Sequence, residues 1–199
     1  EPWNDAVPMD WHQRIADLIH LTEQNLPHRH LVSMDVACGH LRLDTPQSGI
    51  SVYNFHYVLG QTAEDNHGLG LPIGMNETGF WGQADTTYRK QGWEFMLSGG
   101  ALYNNLDYSF STGFEDGTYP YWDKQPGGGS AQLRMQLGWM LSFLNEKPLT
   151  GMRPSRAHLL RLFANSPRIF MLGGDDSCCG YILSDSASSL ELDFAAGEY

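Results

Sequence analysis

Residues 71–80 read LPIGMNETGF. An apolar run of strand type leads directly into one acidic residue, Glu77, followed by Thr78 and Gly79. In parallel α/β folds, functional groups collect at the carboxyl ends of strands, where the loops open to solvent. A buried strand ending in Asn-Glu-Thr-Gly fits that placement. The plainer reading is a solvated glutamate that helps to cap the next turn.

The stretches on either side extend the pattern. ISVYNFHYV (50–58) is a β-branched and aromatic strand, and HLVSMDVA (30–37) reads as a buried one. ALYNNLDYSF (101–110) reads as a fourth strand with an unusual load of polar residues. Helices are expected between them. Over 8–25, Pro8 suits a first turn, Asp10 complements the positive end, and Trp11, Ile15, Leu18 and Ile19 fall on one face. Over 85–98, Asp85 is the expected cap, with Trp93, Met96 and Leu97 inward. Ser130 caps the third, whose stripe is Leu133, Leu137, Met140, Leu141 and Leu144. Residues 60–70 and 111–129 read as loops, the Gly-rich end of the second (126–130) as a flexible connector. Strand and helix alternate, which predicts an α/β fold with a parallel sheet and helical crossovers. After Pro148 the pattern changes. IFML (169–172), GYILS (180–184) and SLELDF (189–194) are short strands between Gly/Asp/Ser turns and predict antiparallel hairpins. The boundary falls near residue 155.

Bulk properties exclude some classes. The chain has 199 residues, 41% hydrophobic, enough for one domain with a small appendage. Its net charge of −11 disfavours nucleic acid or an anionic membrane as partner, since both need a basic face. No apolar run approaches the roughly 20 residues of a membrane span, and no signal peptide is recognisable. The chain starts at Glu1 and not at Met, so a processed product or an excised piece of a longer chain is expected, and the missing leader carries no information. The three cysteines, Cys38, Cys178 and Cys179, form no disulfide framework.

Several residues are candidates for chemistry. Neighbours on a strand point to opposite faces, so at most one of His56 and Tyr57 should point into a site. Tyr103, Asn104, Asn105, Asp107 and Tyr108 load the fourth strand with polar groups that must be partnered or line a cleft. The histidines lack metal-site spacing, no GK[ST] follows the glycines, and no GxSxG occurs. No metal or cofactor is expected. Glu1, ahead of Pro2 and Trp3, reads as a solvated terminus when taken alone.

Taken in order, EPW, a helix, strand 30–37, ISVYNFHY, GLPIGMNETGF and YRKQGWEFMLSGGALYNNLDYSF resemble the second half of a clan A glycoside hydrolase. The match is to a cellulase-like barrel related to glycoside hydrolase family 5, and it covers roughly residues 1–147. The resemblance implies strands five to eight of a (β/α)8 barrel over 1–155, then the start of a β-rich accessory domain over 156–199. In that clan an Asn-Glu-Pro at the end of the fourth barrel strand supplies the acid/base, which Glu1-Pro2 matches without its Asn. The nucleophile stands at the end of the seventh strand, where the count places Glu77. The family's His-x-Tyr on the sixth strand corresponds here to adjacent His56 and Tyr57. The implied function is retaining hydrolysis of a β-linked polysaccharide or oligosaccharide, one carboxyl charged and the other protonated. His56, Tyr57, Trp81, Asn105, Tyr108 and Trp122 are the implied substrate-binding residues. A secreted or periplasmic location follows from the resemblance. The alternative is a non-catalytic carbohydrate-binding or structural barrel fragment, inactive without an N-terminal half. An open sheet edge also allows a homodimer.

Overall fold

The computed structural model describes residues 7–36, 38, 41–120, 128–163, 167–186 and 189–194. It is mixed α/β. Four parallel strands, β1 (Ser33–Asp35), β2 (Val52–His56), β3 (Ile73–Glu77) and β4 (Leu102–Tyr103), form one sheet in chain order. Around it run α1 (Met9–Glu23), the short α2 (Thr62–Asn66), α3 (Asp85–Met96) and α4 (Ala131–Asn145). The expected parallel sheet is therefore present; helices lie in the connections from β2 to β3 and from β3 to β4, while among the described residues none lies between β1 and β2.

The inner strands are buried on both faces, as expected: Tyr53, Asn54, Phe55 and His56 of β2 and Ile73, Gly74 and Met75 of β3 are all buried. Met34, Tyr53, Phe55, Ile73 and Met75 form a core with Ala16 and Phe95. Between them in sequence stand Ser33, Asp35, Asn54, His56, Gly74 and Asn76, on the other face. Alternation of this kind gives the sheet one apolar and one polar face.

Four local expectations are corrected. Residues 62–66 are helical and 67–69 make a 3₁₀ turn, where a loop was read. The buried Asn66 amide ties this segment down: it donates to the Leu41 and Thr62 carbonyls and accepts from the Leu43 N–H. Tertiary bonding thus overrides weak helix propensity. The fourth strand ends after two residues. Asn104 accepts from the Leu106 N–H and Asp107 from the Ser109 N–H, so side chains replace the ladder. Asp85 is the first residue of α3 and not its cap; its carboxylate accepts the Ser130 hydroxyl instead. The expected inward faces are only partly inward: Trp11, Ile15 and Leu18 on α1 and Leu141 on α4 are exposed. Ser130 does cap α4, accepting from the Leu133 N–H at 3.0 Å.

Beyond α4 the strands are antiparallel. β5 (Arg153–Pro154), β7 (Arg168–Gly173) and β8 (Cys178–Leu183) form one sheet, in the order β5-β7-β8. β9 (Ser189–Leu192) pairs not with β8 but with β6 (Leu159–Phe163), a strand that the sequence pattern did not single out. Phe170, Leu172 and Cys179 share a core with Leu97, Met140 and Leu144. Arg168 adds a two-pronged contact to the buried Glu94 carboxylate, 2.7 and 3.3 Å.

His158 joins three segments of this region. Its two ring nitrogens lie 3.0 Å from the Asp193 and Gly174 carbonyl oxygens, and both can be satisfied only when the ring carries two protons. Those carbonyls, followed by Asp193 and Asp176, raise its pKa. A raised folded-state pKa contributes stability below the unfolded value, about 6.5, and loses it as pH rises through the folded value. The His158 ring should therefore titrate above 6.5 by NMR, and hydrogen-exchange protection of the β6–β9 pair, corrected for intrinsic rate, should fall through that midpoint. His158→Phe should abolish the pH dependence.

Candidate active site

The carboxyl ends of β1, β2 and β3 present Asp35, His56 and Glu77 side by side. Alternation alone would put Glu77 on the same face as Ile73 and Met75, under the helices. A one-residue bulge prevents this. Phe55 pairs with Met75 and His56 with Glu77, so Asn76 is the extra residue, and the side chain that follows is re-aimed. Tyr57 breaks the alternation a second time. Its φ of +53° is left-handed, unusual for an aromatic residue, and its N–H donates to the Glu77 carbonyl at 2.9 Å.

The result corrects the expectation that only one of His56 and Tyr57 could face the site. The Tyr57 hydroxyl donates to Glu77 Oε1. His56 Nδ1 lies 3.2 Å from Glu77 Oε2, and His56 Nε2 lies 3.7 Å from Asp35 Oδ1. Neither contact has hydrogen-bond geometry; they are close electrostatic approaches. Asn76 donates to Asp35 Oδ1 at 3.2 Å, and Asn54 donates to the Ser33 hydroxyl at 2.6 Å. Exposure is graded: His56 is 5% exposed, Glu77 26% and Asp35 40%.

The electrostatics follow. Burial, and then the hydrogen bond and charge of Glu77, push the Tyr57 phenol well above its ordinary value, so it remains a donor. Asp35 is held below the ordinary carboxylate range, foremost by His56 and in spite of its burial. It is ionised across neutral pH.

The loops that carry these groups are anchored from behind. Gln91 on α3 accepts from the buried Thr78 hydroxyl at 2.7 Å and donates to the Val58 carbonyl at 3.3 Å. One side chain therefore fixes the residues that follow both His56-Tyr57 and Glu77. Phe80, also left-handed with φ of +64°, places its ring 5.3 Å from that of Tyr57.

The remaining candidates are scattered. Trp81 is 58% exposed and Tyr108 41%, both offering open ring surface. Asn105 turns inward instead: it is buried and gives its amide to the Gly128 carbonyl. It holds the turn before α4 and does not face a cleft. Gly128 is packed there and is no flexible connector, since a Cβ would lie 1.7 Å from the Gly82 carbonyl oxygen. Glu1 and Trp122 lie outside the described residues. Among the described residues, no three His, Cys, Asp or Glu side chains are grouped to hold a metal ion, and no helix is long and apolar enough to cross a membrane. Sequence reasoning missed Asp35, Asn54 and Gln91. The signal for the first two was present as the polar half of a period-two alternation; Gln91 had none.

Compared with protein-family models, with curated proteins and with solved structures, the chain matches none.

The polar face depends on the missing side chain of Gly74, where a Cβ would lie 2.1 Å from Asn54 Oδ1. Gly74→Ala should displace the Asn54 amide and lower the unfolding free energy by about 1–3 kcal/mol in urea titration. Combined with Asn54→Ala, it should destabilise by less than the sum of the two single changes.

Proposed function

We propose that this protein is a retaining glycoside hydrolase acting on a β-linked polysaccharide or oligosaccharide, with Glu77 as nucleophile. The observation that carries the reading is the setting of Glu77. It stands at the carboxyl end of the third parallel strand, receives the Tyr57 hydroxyl, and has His56 3.2 Å from its other oxygen. A nucleophilic carboxylate needs a fixed donor to orient it, together with one open side for the sugar.

In this reading a Glu77 oxygen forms a bond to the anomeric carbon as the bond to the leaving oxygen breaks. Glu1 gives that oxygen its proton, then takes one from the water that cleaves the glycosyl ester. Tyr57 stays protonated throughout and steadies the carboxylate. No metal or cofactor takes part. The four parallel strands serve as strands five to eight of a (β/α)8 barrel, residues 1–155 belong to it, and 156–199 begin an accessory β domain. Trp81, Tyr108 and Trp122 offer stacking surface for sugar rings. A polysaccharide substrate is consistent with a secreted or periplasmic site of action.

The second reading, a sugar-binding piece without turnover, uses the same polar face. It is favoured by the open sheet: among the described residues no strand pairs with the outer edge of β1 or β4, and Leu102 and Leu141 are exposed beside β4. A second copy paired at these edges would cover them. Light scattering at micromolar concentration then gives twice the chain mass, and a monomer mass removes the dimer.

Glu77→Gln should abolish reducing-sugar release with an unchanged melting temperature. Tyr57→Phe should lower kcat about 10- to 100-fold, the effect of losing one hydrogen bond to a charged group. Full activity in Glu77→Gln would end the nucleophile assignment; glycan binding without any sugar release by the wild type would favour the second reading.

A further inference from the structure

Asp35 stands at the end of β1 and Glu77 at the end of β3. Two strand spacings place their backbones about 10 Å apart, so the carboxylates do not meet directly. The ring of His56, on the strand between them, spans the gap. Its Nε2 lies 3.7 Å from Asp35 Oδ1 and its Nδ1 3.2 Å from Glu77 Oε2. Asn76 donates to the same Asp35 oxygen at 3.2 Å, which fixes the outer carboxylate.

Burial decides what this ring can do. His56 is buried, and neither of its nitrogens has accessible surface. It cannot touch a substrate, so any effect it has on one passes through its neighbours. An imidazole with one proton has one N–H and one lone pair. With a carboxylate at each nitrogen, the lone pair would face an acceptor. Only the doubly protonated ring turns an N–H toward both. The approaches lack hydrogen-bond geometry, so the hold is that of one charge between two others. It is lost on one side when the ring gives up a proton.

The titratable groups that face the ring are Asp35 from β1, Glu77 from β3 and the adjoining Tyr57, whose ring stands edge-on at 6.3 Å. Among the described residues, no Arg or Lys pairs with either carboxylate. His56 is the foremost cause that holds Asp35 below the ordinary carboxylate range. Such coupling is reciprocal: a charged Asp35 favours the charged ring by the same amount.

We infer that Asp35 is a positioning residue that acts on Glu77 through the His56 ring, which spans both carboxylates only while it carries two protons. Asp35 thereby sets the upper pH limit at which His56 restrains Glu77. The inference rests on Glu77 as the reacting group. Asp35 takes no part in bond cleavage.

The full chain, labelled with ¹⁵N at histidine and ¹³C at the Asp and Glu carboxyls, is titrated by NMR. The Glu77 carboxyl resonance should record the His56 transition, with a step at the midpoint of the ring nitrogens. Asp35→Asn keeps the shape and removes the charge. In it, the ring transition and the Glu77 step should move together to lower pH, by about half a unit or more. In His56→Gln, the Asp35 carboxyl should titrate nearer the ordinary aspartate value of about 3.9. The alkaline limb of reducing-sugar release from soluble β-glucan, mannan or xylan should move down with the ring in Asp35→Asn. A ring transition that stays in place in a folded Asp35→Asn, or one that moves without the Glu77 step or the alkaline limb, overturns the inference. If Asp35→Asn does not fold, an Asp35 carboxyl indifferent to His56→Gln overturns it instead. Sugar release by the wild type with uncoupled resonances overturns it while leaving Glu77 as nucleophile. Coupled resonances in a wild type that releases no sugar uphold the link from Asp35 to Glu77 and remove the hydrolase reading.

Discussion

Two breaks in strand alternation, one residue apart in space, hold the site together. The bulge at Asn76 turns Glu77 out from under the helices, and the left-handed backbone at Tyr57 brings its ring around to meet it. Without either break, period-two geometry would separate the partners. His56 and Tyr57 would face opposite ways, and Glu77 would lie among Ile73 and Met75. A left-handed aromatic residue and a bulged parallel pair both go against local preference, on the order of 1–3 kcal/mol for the backbone alone. The surrounding structure holds them: the Tyr57 N–H binds the Glu77 carbonyl, and Gln91 ties the segments that follow each strand.

The sheet divides labour between its faces. Met34, Tyr53, Phe55, Ile73 and Met75 supply the covered face that makes the unit stable. The opposite face carries Ser33, Asp35, Asn54, His56 and Asn76, bonded to one another but not saturated. Gly74 matters here as the empty position that lets the Asn54 amide lie flat across the sheet.

Much of the fold was legible in the sequence. The three apolar stretches around 33–35, 52–56 and 73–77, the Ser130 cap and the β7–β8 pair followed from pattern and turn chemistry. The misses have physical causes. Asn66 stabilises a helical turn through bonds to residues more than twenty positions away, which no local window contains. Asn104 and Asp107 end β4 by offering the backbone closer partners than the ladder. Glu77, His56 and Tyr57 were recognisable as residues, but not that both neighbours reach Glu77, because a bulge and a positive φ leave no compositional trace when no glycine marks them. Asp35 and Asn54 were visible as the polar half of an alternation and were read only as parts of strands. The exposure of Trp11, Ile15 and Leu18 was not readable either, since a helical stripe shows which residues share a face and not whether anything covers it.

The central claim, that Glu77 attacks the sugar and holds it covalently, has a direct test. The protein is treated with a 2-deoxy-2-fluoro β-glycosyl fluoride, digested with pepsin and analysed by mass spectrometry. The account predicts one added fluoroglycosyl group per chain, on Glu77 in the peptide spanning LPIGMNETGF, with loss of the label when Glu77→Gln is used. A label on a different carboxylate, or an unmodified chain, would contradict it.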